Sequence, residues 1–488
     1  MTESVDVLIV GAGLSGIGAA RRLQRDCPGK RFLILEARDT LGGTWDLFRY
    51  PGIRSDSDMY TLGYDFKPWT GAKAIADGPS ILRYVRETAE EAGLAAHIRY
   101  RHRVRAARWS SADARWRIEV ERGAEREPVF LEARFLHLCA GYYRYARGHR
   151  PVFAGEAQFR GRIVEPQFWP ADLEHAGRRV VVIGSGATAI TLVPEMAKSA
   201  AHVTMLQRSP TYVVSRPSED RLAQWLARRL PARWAYGLTR WKNVLLGLYF
   251  YRLARRRPQA MKKAFIDMVR AQVGPDCDVE RHFTPRYLPW DQRLCLVPDG
   301  DLFRQIRAGK VEVVTDGIAG YAAQGVQLAS GGLLPADIVV LATGLELNVL
   351  GDIALQIDGQ DCDPAGCLAY KGMMLSGVPN LAMTFGYTNA SWTLKADLTA
   401  AYVCRLLRYL DRRGYASATP RVDPGIAPQP FLTFTSGYVQ RALAALPKQG
   451  SRAPWRVYQN YLLDLLTIRY GRLADGVIEF AGAAGGSR

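Results

Sequence analysis

Val5-Asp6-Val7-Leu8-Ile9-Val10-Gly11-Ala12-Gly13-Leu14-Ser15-Gly16 is an apolar run of strand length that breaks into three glycines spaced GxGxxG. Residues 17–25 follow with a helical pattern. Residues 31–35 read as a second buried strand ending at Glu36, twenty residues after Gly16. Each part of this β-turn-α-β order has a mechanical purpose. Gly11 permits a tight turn, Gly13 lets the backbone approach a pyrophosphate, and Gly16 allows close helix-strand packing. The helix N-terminus faces an anion, and Glu36 can accept hydrogen bonds from a ribose diol. Ser15 lies inside the same turn.

The pattern recurs. Arg179-Val180-Val181-Val182-Ile183 is a strand, and Gly184-Ser185-Gly186-Ala187-Thr188-Ala189-Ile190 turns into a helix. Residues 202–206 form the next strand, which ends in Gln207-Arg208-Ser209 and not in an acid. A carboxylate there would repel a 2′-phosphate, whereas an arginine fork binds one bidentately, so this second turn is expected to prefer NADPH over NADH. The N-terminal turn, with Glu36, suits FAD. A third strand over 337–341 ends in the small-residue turn Ala342-Thr343-Gly344.

These elements predict an α/β protein with two Rossmann-like dinucleotide-binding domains, for FAD and NADPH, and a mainly helical insertion. The expected division is 1–148 for the first part of the FAD domain and 149–215 for the first part of the NADPH domain. Residues 216–290 form the helical insertion or cap. Residues 291–348 complete the NADPH domain, and 349–488 complete the FAD domain with the C-terminal segment. The Gly- and Ala-rich end, 480–488, is expected to fray.

Composition fits a globular chain: 488 residues exceed one ordinary core, and 48% apolar with 23% charged residues excludes a disordered or collagen-like protein. Seven cysteines form no CxxC pair. Cys362 and Cys367, five apart, are read as structural, and no metal site is expected. The missing CxxC also argues against a disulfide reductase, which shares the two-nucleotide architecture. Residues 1–10 lack the basic region and cleavage site of a signal peptide, so a cytoplasmic location is expected. The net charge of +18 comes with no nucleic-acid module, so no nucleic-acid partner is expected. Basic residues are densest over 221–263, interleaved with Trp225, Trp234, Trp241, Tyr249, Phe250 and Tyr251. The apolar run 244–251 is too short to span a bilayer. Two readings compete: peripheral contact with an anionic membrane surface, or a cap whose aromatic side packs over the active site with its arginines solvated.

Four further segments carry a family resemblance. Gly42-Gly43-Thr44-Trp45, then Tyr50-Pro51-Gly52 and Asp56, resembles the GGxWxxxxYPGxxxD signature of type I Baeyer-Villiger flavin monooxygenases. Residues 159–170 resemble that family's FxGxxxHxxxWP fingerprint. Residues 285–295 and 386–395 resemble its ethionamide-activating branch. The resemblance covers nearly the whole chain. It implies that Ser15, Glu36, Gly43, Thr44, Trp45, Asp46, Leu47, Asp56 and Val104 surround FAD. It implies that Arg54, Ser55, Asp56, Gly184 to Ile190, Gln207 and Arg208 surround NADPH, with Arg293 as the active-site arginine and Asp56 as its carboxylate partner. The implied chemistry is oxygen transfer from a C4a-peroxyflavin, made from NADPH and O2, to a ketone or a thioether. A fixed guanidinium would stabilise the anionic oxidant and the oxyanion formed on a carbonyl.

One departure stands out: Glu165 occupies the fingerprint's histidine position. An ionised glutamate only accepts hydrogen bonds and adds negative charge, which puts the coupling of NADPH use to oxygen transfer in doubt. Alternatives to Baeyer-Villiger chemistry are N- or S-oxygenation without ketone activity, an uncoupled NADPH oxidase, and a non-enzymatic basic membrane-surface protein. Composition and motifs leave the physiological substrate and the oligomeric state open.

Overall fold

Parallel pairing of the strands Glu3–Val10, Phe32–Leu35 and Glu127–Leu138 builds the centre of the first of two large sheets in the computed structural model, which describes residues 2–482. The sheet runs Gln360–Cys362, Ala354–Ile357, His102–Ser110, Arg115–Arg122, Glu127–Leu138, Glu3–Val10, Phe32–Leu35 and Ile98–Arg99, and Leu381–Met383 also pairs with Glu127–Leu138. Both faces are covered. Val7 and Ile9 enter one apolar cluster with the helices Leu14–Asp26 and Trp392–Arg413, while Leu8 and Val10 enter another on the opposite face. Such two-sided burial is why the strand is a continuous apolar run and not an alternating one.

The second sheet is wholly parallel, in the order Val311–Thr315, His202–Gln207, Arg179–Ile183, Ile338–Leu341 and Arg162–Val164. It too is buried on both faces: Val180 and Val182 pack on one side, Val181 and Ile183 on the other. Each such fully buried valine or isoleucine contributes about 1.5–3 kcal/mol of transfer free energy. The chain passes between the sheets along the antiparallel pair Tyr143–Gly148 and Leu345–Leu347.

Residues 216–290 contain the helices Arg221–Arg229, Ala232–Arg256, Pro258–Val273 and Val279–Phe283. The last two are not a separate layer, because Ile266, Val269, Val273, Val279 and Phe283 belong to the apolar cluster of the second sheet. The helix Ala232–Arg256 lies against the short helix Met59–Leu62 with an orientation opposite to the cap reading. Its Trp234, Trp241, Tyr249 and Phe250 are exposed, while Arg240 is buried. The guanidinium of Arg240 explains the inversion. It donates to the carbonyls of Tyr60 (2.8 Å) and Gly63 (2.7 Å) at the C-terminal end of Met59–Leu62 and pairs with Asp397 at 3.2 Å. Unsatisfied carbonyls at a helix end attract a cation, and this one is fully engaged.

Two smaller findings concern the ends and the cysteines. Ile478–Ala481 is a strand paired with Ser417–Pro420, so residues 480 and 481 do not fray. The rest of that expectation, 483–488, lies outside the described residues. Cys362 and Cys367 are free thiols with sulfurs 3.8 Å apart, and no cluster of potential metal ligands occurs among the described residues.

Candidate active site

The two glycine turns are built alike. Gly11 has φ +102° and Gly184 φ +137°, and a Cβ at either would meet a neighbouring strand's carbonyl oxygen, Cys139 O at 2.6 Å or Ala342 O at 2.3 Å. Only glycine fits both the left-handed backbone and the close approach. Gly16 is constrained by packing, since a Cβ there would lie 1.9 Å from the oxygen of Gly11.

Between the turns lies a cavity of about 640 Å³. Gly11, Gly13, Ser15, Glu36, Gly43, Thr44, Trp45, Leu47 and Val104 line it from the first turn and its surroundings. Arg54, Ser55, Asp56, Ala187, Thr188 and Arg293 line it from the other side. The remaining expected residues stand elsewhere. Asp46 is buried beneath the cavity wall, paired with Arg38 at 2.7 Å and Arg86 at 3.1 Å. Ala189 and Ile190 are buried in the core of the helix Ala187–Met196. Gln207 is buried as well, donating to His282 O (2.7 Å) and Thr315 Oγ1 (2.9 Å). Gly184, Ser185 and Gly186 form the second turn outside the cavity wall, and a Cβ at Gly186 would enter open space. Arg208 is exposed at the end of His202–Gln207 and makes no ion pair among the described residues.

The first turn suits a dinucleotide. Glu36 accepts from the amides of Ala12 (2.8 Å) and Arg38 (2.9 Å), which fix its carboxyl group at the cavity wall and leave further lone pairs for a ribose diol. Burial pushes this carboxyl above the ordinary glutamate range, and the two amides partly oppose that rise. Ser15 Oγ accepts from Trp392 Nε1 at 2.8 Å.

Arg293 and Asp56 meet across 237 residues of sequence, Nη2 to Oδ2 3.3 Å. Burial works against the charge on Arg293, but Asp56, followed by the phenols of Tyr142, Tyr143 and Tyr438, outweighs it and holds the guanidinium well above its ordinary range. Both line the cavity, and the side chain of Arg293 is 42% accessible against 16% for Asp56, so the cation is the more open of the two. The turn that delivers it is strained: Trp290, three residues earlier, has φ +70°, and Asp291 pins the turn through Arg255 at 2.8 Å.

An aromatic wall completes the cavity. The ring of Tyr142 stacks on Trp392 (centroids 4.6 Å), and its hydroxyl bonds that of Tyr143. Tyr387 lines the same space and donates to Asp464 at 2.7 Å, which also pairs with the buried Lys395 at 2.8 Å. None of these was assigned a site role from sequence. The usable signal for the tyrosines is their position just past the C-terminal end of Glu127–Leu138, where ligands bind in open α/β sheets. Trp392 lies within one of the matching segments.

Glu165 follows the edge strand Arg162–Val164, and its carboxylate lies 3.2 Å from Arg150 Nε. Arg150 also pairs with Glu156, so one guanidinium is shared by two carboxylates and offsets the charge of Glu165 only in part.

Comparisons with known proteins bear on the family and the fold. A family model described as NAD(P)-binding Rossmann-like domain matches residues 9–70, and one described as flavin-binding monooxygenase-like matches residues 74–228. The chain is 55% identical over 483 residues to the FAD-containing monooxygenase EthA of Mycobacterium tuberculosis, covering 99% of this chain and 98% of that one. It is 48% identical to a probable FAD-binding monooxygenase, AlmA, of Acinetobacter baylyi, covering 98% and 97%. Among solved structures, an oxidized steroid monooxygenase bound to NADP superposes with a TM-score of 0.76 at 22% identity, covering 98% of this chain and 100% of that one. A cyclohexanone monooxygenase superposes at 0.75 and 20% identity, covering 98% and 100%. The fold is thus that of the two-dinucleotide-domain monooxygenases, and by its full-length similarity the chain belongs to the EthA-type family of FAD-containing flavin monooxygenases.

Proposed function

We propose that this chain uses NADPH and O2 for Baeyer-Villiger oxidation of ketones to esters or lactones, and that it sulfoxidises thioethers in the same cavity. The observation that carries the reading is Arg293, held by Asp56 and facing the space between the two glycine turns. One oxygen atom of O2 enters between the carbonyl carbon and a neighbouring carbon. The other leaves as water, and NADPH supplies the two electrons. FAD, when bound, supplies the chemistry that activates O2.

The residues of the chain do the rest. Glu36 grips a ribose of the first dinucleotide through its preset carboxylate, and Arg208 meets the 2′-phosphate of the second as a free fork. Arg293 stabilises negative charge developing on the substrate oxygen. Asp56 restricts the guanidinium to that task, so little reorganisation is needed during the reaction. Tyr142, Trp392 and Tyr387 wall the cavity with aromatic surface and favour an apolar substrate.

The test is oxygen-isotope tracing with one cyclic ketone and one aryl thioether. Isotope from labelled O2 in the ring oxygen of a lactone supports the reading. Labelled sulfoxide without any lactone restricts the enzyme to heteroatom oxygenation. NADPH consumption with peroxide as the sole product makes it an oxidase, and both of these outcomes refute Baeyer-Villiger activity.

A further inference from the structure

The helix Ala232–Arg256 carries its apolar stripe outward. Trp234, Leu238, Trp241 and Leu245 recur at intervals of four, three and four residues on one face, and all are exposed, Trp234 by 69%. The stripe continues onto a second segment. Trp241 meets Tyr461 with ring centroids 6.0 Å apart, and beyond it Leu466 and Tyr470 are 60% and 68% exposed. Large apolar side chains grouped this way mark a surface that is covered by something else.

Charge decides what covers it. No Asp or Glu occurs anywhere over residues 221–263, while arginines recur beside the stripe. Arg228, Arg229 and Arg233 stand exposed at one end of the stripe, and Arg252 and Arg256 at the other. Arg229 lies over the ring of Trp225, 4.8 Å from its centroid, so cation and apolar surface share one face. A second copy of this chain would bring the same positive charge against itself. An anionic bilayer would accept the aromatic stripe between its headgroups and the arginines among its phosphates. The helix does not cross: no helix among the described residues is long and apolar enough to span a membrane.

The opposite side of the helix backs onto the cavity wall. Val244 packs against Tyr387 and Leu394, and Tyr387 lines the cavity, so one helix separates the exposed stripe from the substrate space. We propose that the helix Ala232–Arg256, together with residues 461–470, docks on an anionic lipid bilayer and brings the cavity close to the acyl phase. A lipophilic ketone or thioether would then arrive from the membrane; this last step alone rests on the proposed oxygenase activity.

The test of docking is independent of catalysis. The FAD-loaded protein is sedimented with vesicles of phosphatidylglycerol and phosphatidylcholine, and with vesicles of phosphatidylcholine alone. Binding to the first and much weaker binding to the second are expected. The pair Arg228→Gln and Arg229→Gln should weaken binding about fivefold per charge removed. Trp234→Glu with Leu245→Glu should abolish it while leaving flavin content and melting temperature unchanged, as expected for exposed positions. Three results would overturn the proposal. One is wild-type protein left in the supernatant with both vesicle types. Another is undiminished binding of the Trp234→Glu, Leu245→Glu variant. The third is self-association that this variant alone dissolves, which would assign the stripe to a second copy of the chain.

Discussion

Replacing Arg293 by alanine removes a cation that Asp56 holds at the wall of the cavity. At 3.3 Å and an effective dielectric of about 20, the Coulomb attraction between guanidinium and carboxylate is roughly 5 kcal/mol. Most of that is offset by the desolvation of both groups, so it measures how firmly the guanidinium is aimed and not a net stability. A preorganised donor aimed at developing negative charge is worth about 100- to 1000-fold in turnover, or roughly 2.7–4 kcal/mol. Arg293→Ala should therefore lower lactone formation by about that factor, while anaerobic bleaching of the flavin by NADPH proceeds within roughly threefold of wild type. Asp56→Asn keeps the cation and loses only its orientation, so a smaller loss is expected, about tenfold. The assay is product formation by gas chromatography beside stopped-flow flavin reduction, with melting temperature as the control for folding. If Arg293→Ala makes product at the wild-type rate, or loses flavin reduction as severely as product formation, the role assigned to this pair is wrong.

Arg208→Ala should raise KM for NADPH by roughly 10- to 100-fold, the value of one or two charge-assisted hydrogen bonds, and leave KM for NADH nearly unchanged. Equal changes for both nucleotides would remove Arg208 from 2′-phosphate recognition. His137 is buried against Thr384 Oγ1 at 3.0 Å, and burial lowers its pKa from 6.5 to about 4. The unfolded chain takes up this proton first, so the stability contribution is complete above pH 6.5 and is lost as pH falls toward 4, about 3 kcal/mol in all. Urea titrations across that window should show less acid sensitivity in His137→Gln, and an identical slope would exclude the histidine. Glu165→His should lower NADPH-driven peroxide release without substrate; an unchanged rate would mean that Arg150 already cancels the effect of the carboxylate.

The two sheets and their glycine turns were legible because the constraint is local. A left-handed turn pressed against a neighbouring strand admits almost nothing but glycine, and a strand buried on both faces must be apolar throughout. Glu36 was legible for the same reason, as it stands at a fixed distance from its turn. Arg293 and Asp56 were identifiable only through resemblance, since nothing in local spacing brings residues 56 and 293 together. Gln207 shows the limit of motif transfer: an amide at a strand end looks the same whether it faces a nucleotide or, as here, His282 and Thr315. The helix Ala232–Arg256 was left with two readings because an amphipathic pattern defines two faces without saying which one is covered. Arg240 settled the matter by finding carbonyl partners inside. Tyr142 and Tyr143 carried only the weak signal of their place after a strand, where tyrosines are common.

The antiparallel pair Tyr143–Gly148 and Leu345–Leu347 also bears on how the two sheets are joined. Gly148 is in register with Leu345, so the intervening segment leaves its host at the place where it entered. A segment with adjoining ends can be gained, exchanged or lost at small cost in loop closure and without cutting the host core. The core around its sheet is largely its own, drawing only Phe48 and Tyr50, with partly buried Leu47, Ile53, Tyr143 and Leu345, from outside residues 149–344, while Ala223, Tyr236 and Val244 pack against the host. The architecture is therefore nested, the second parallel sheet standing in a loop of the first with its two connections side by side.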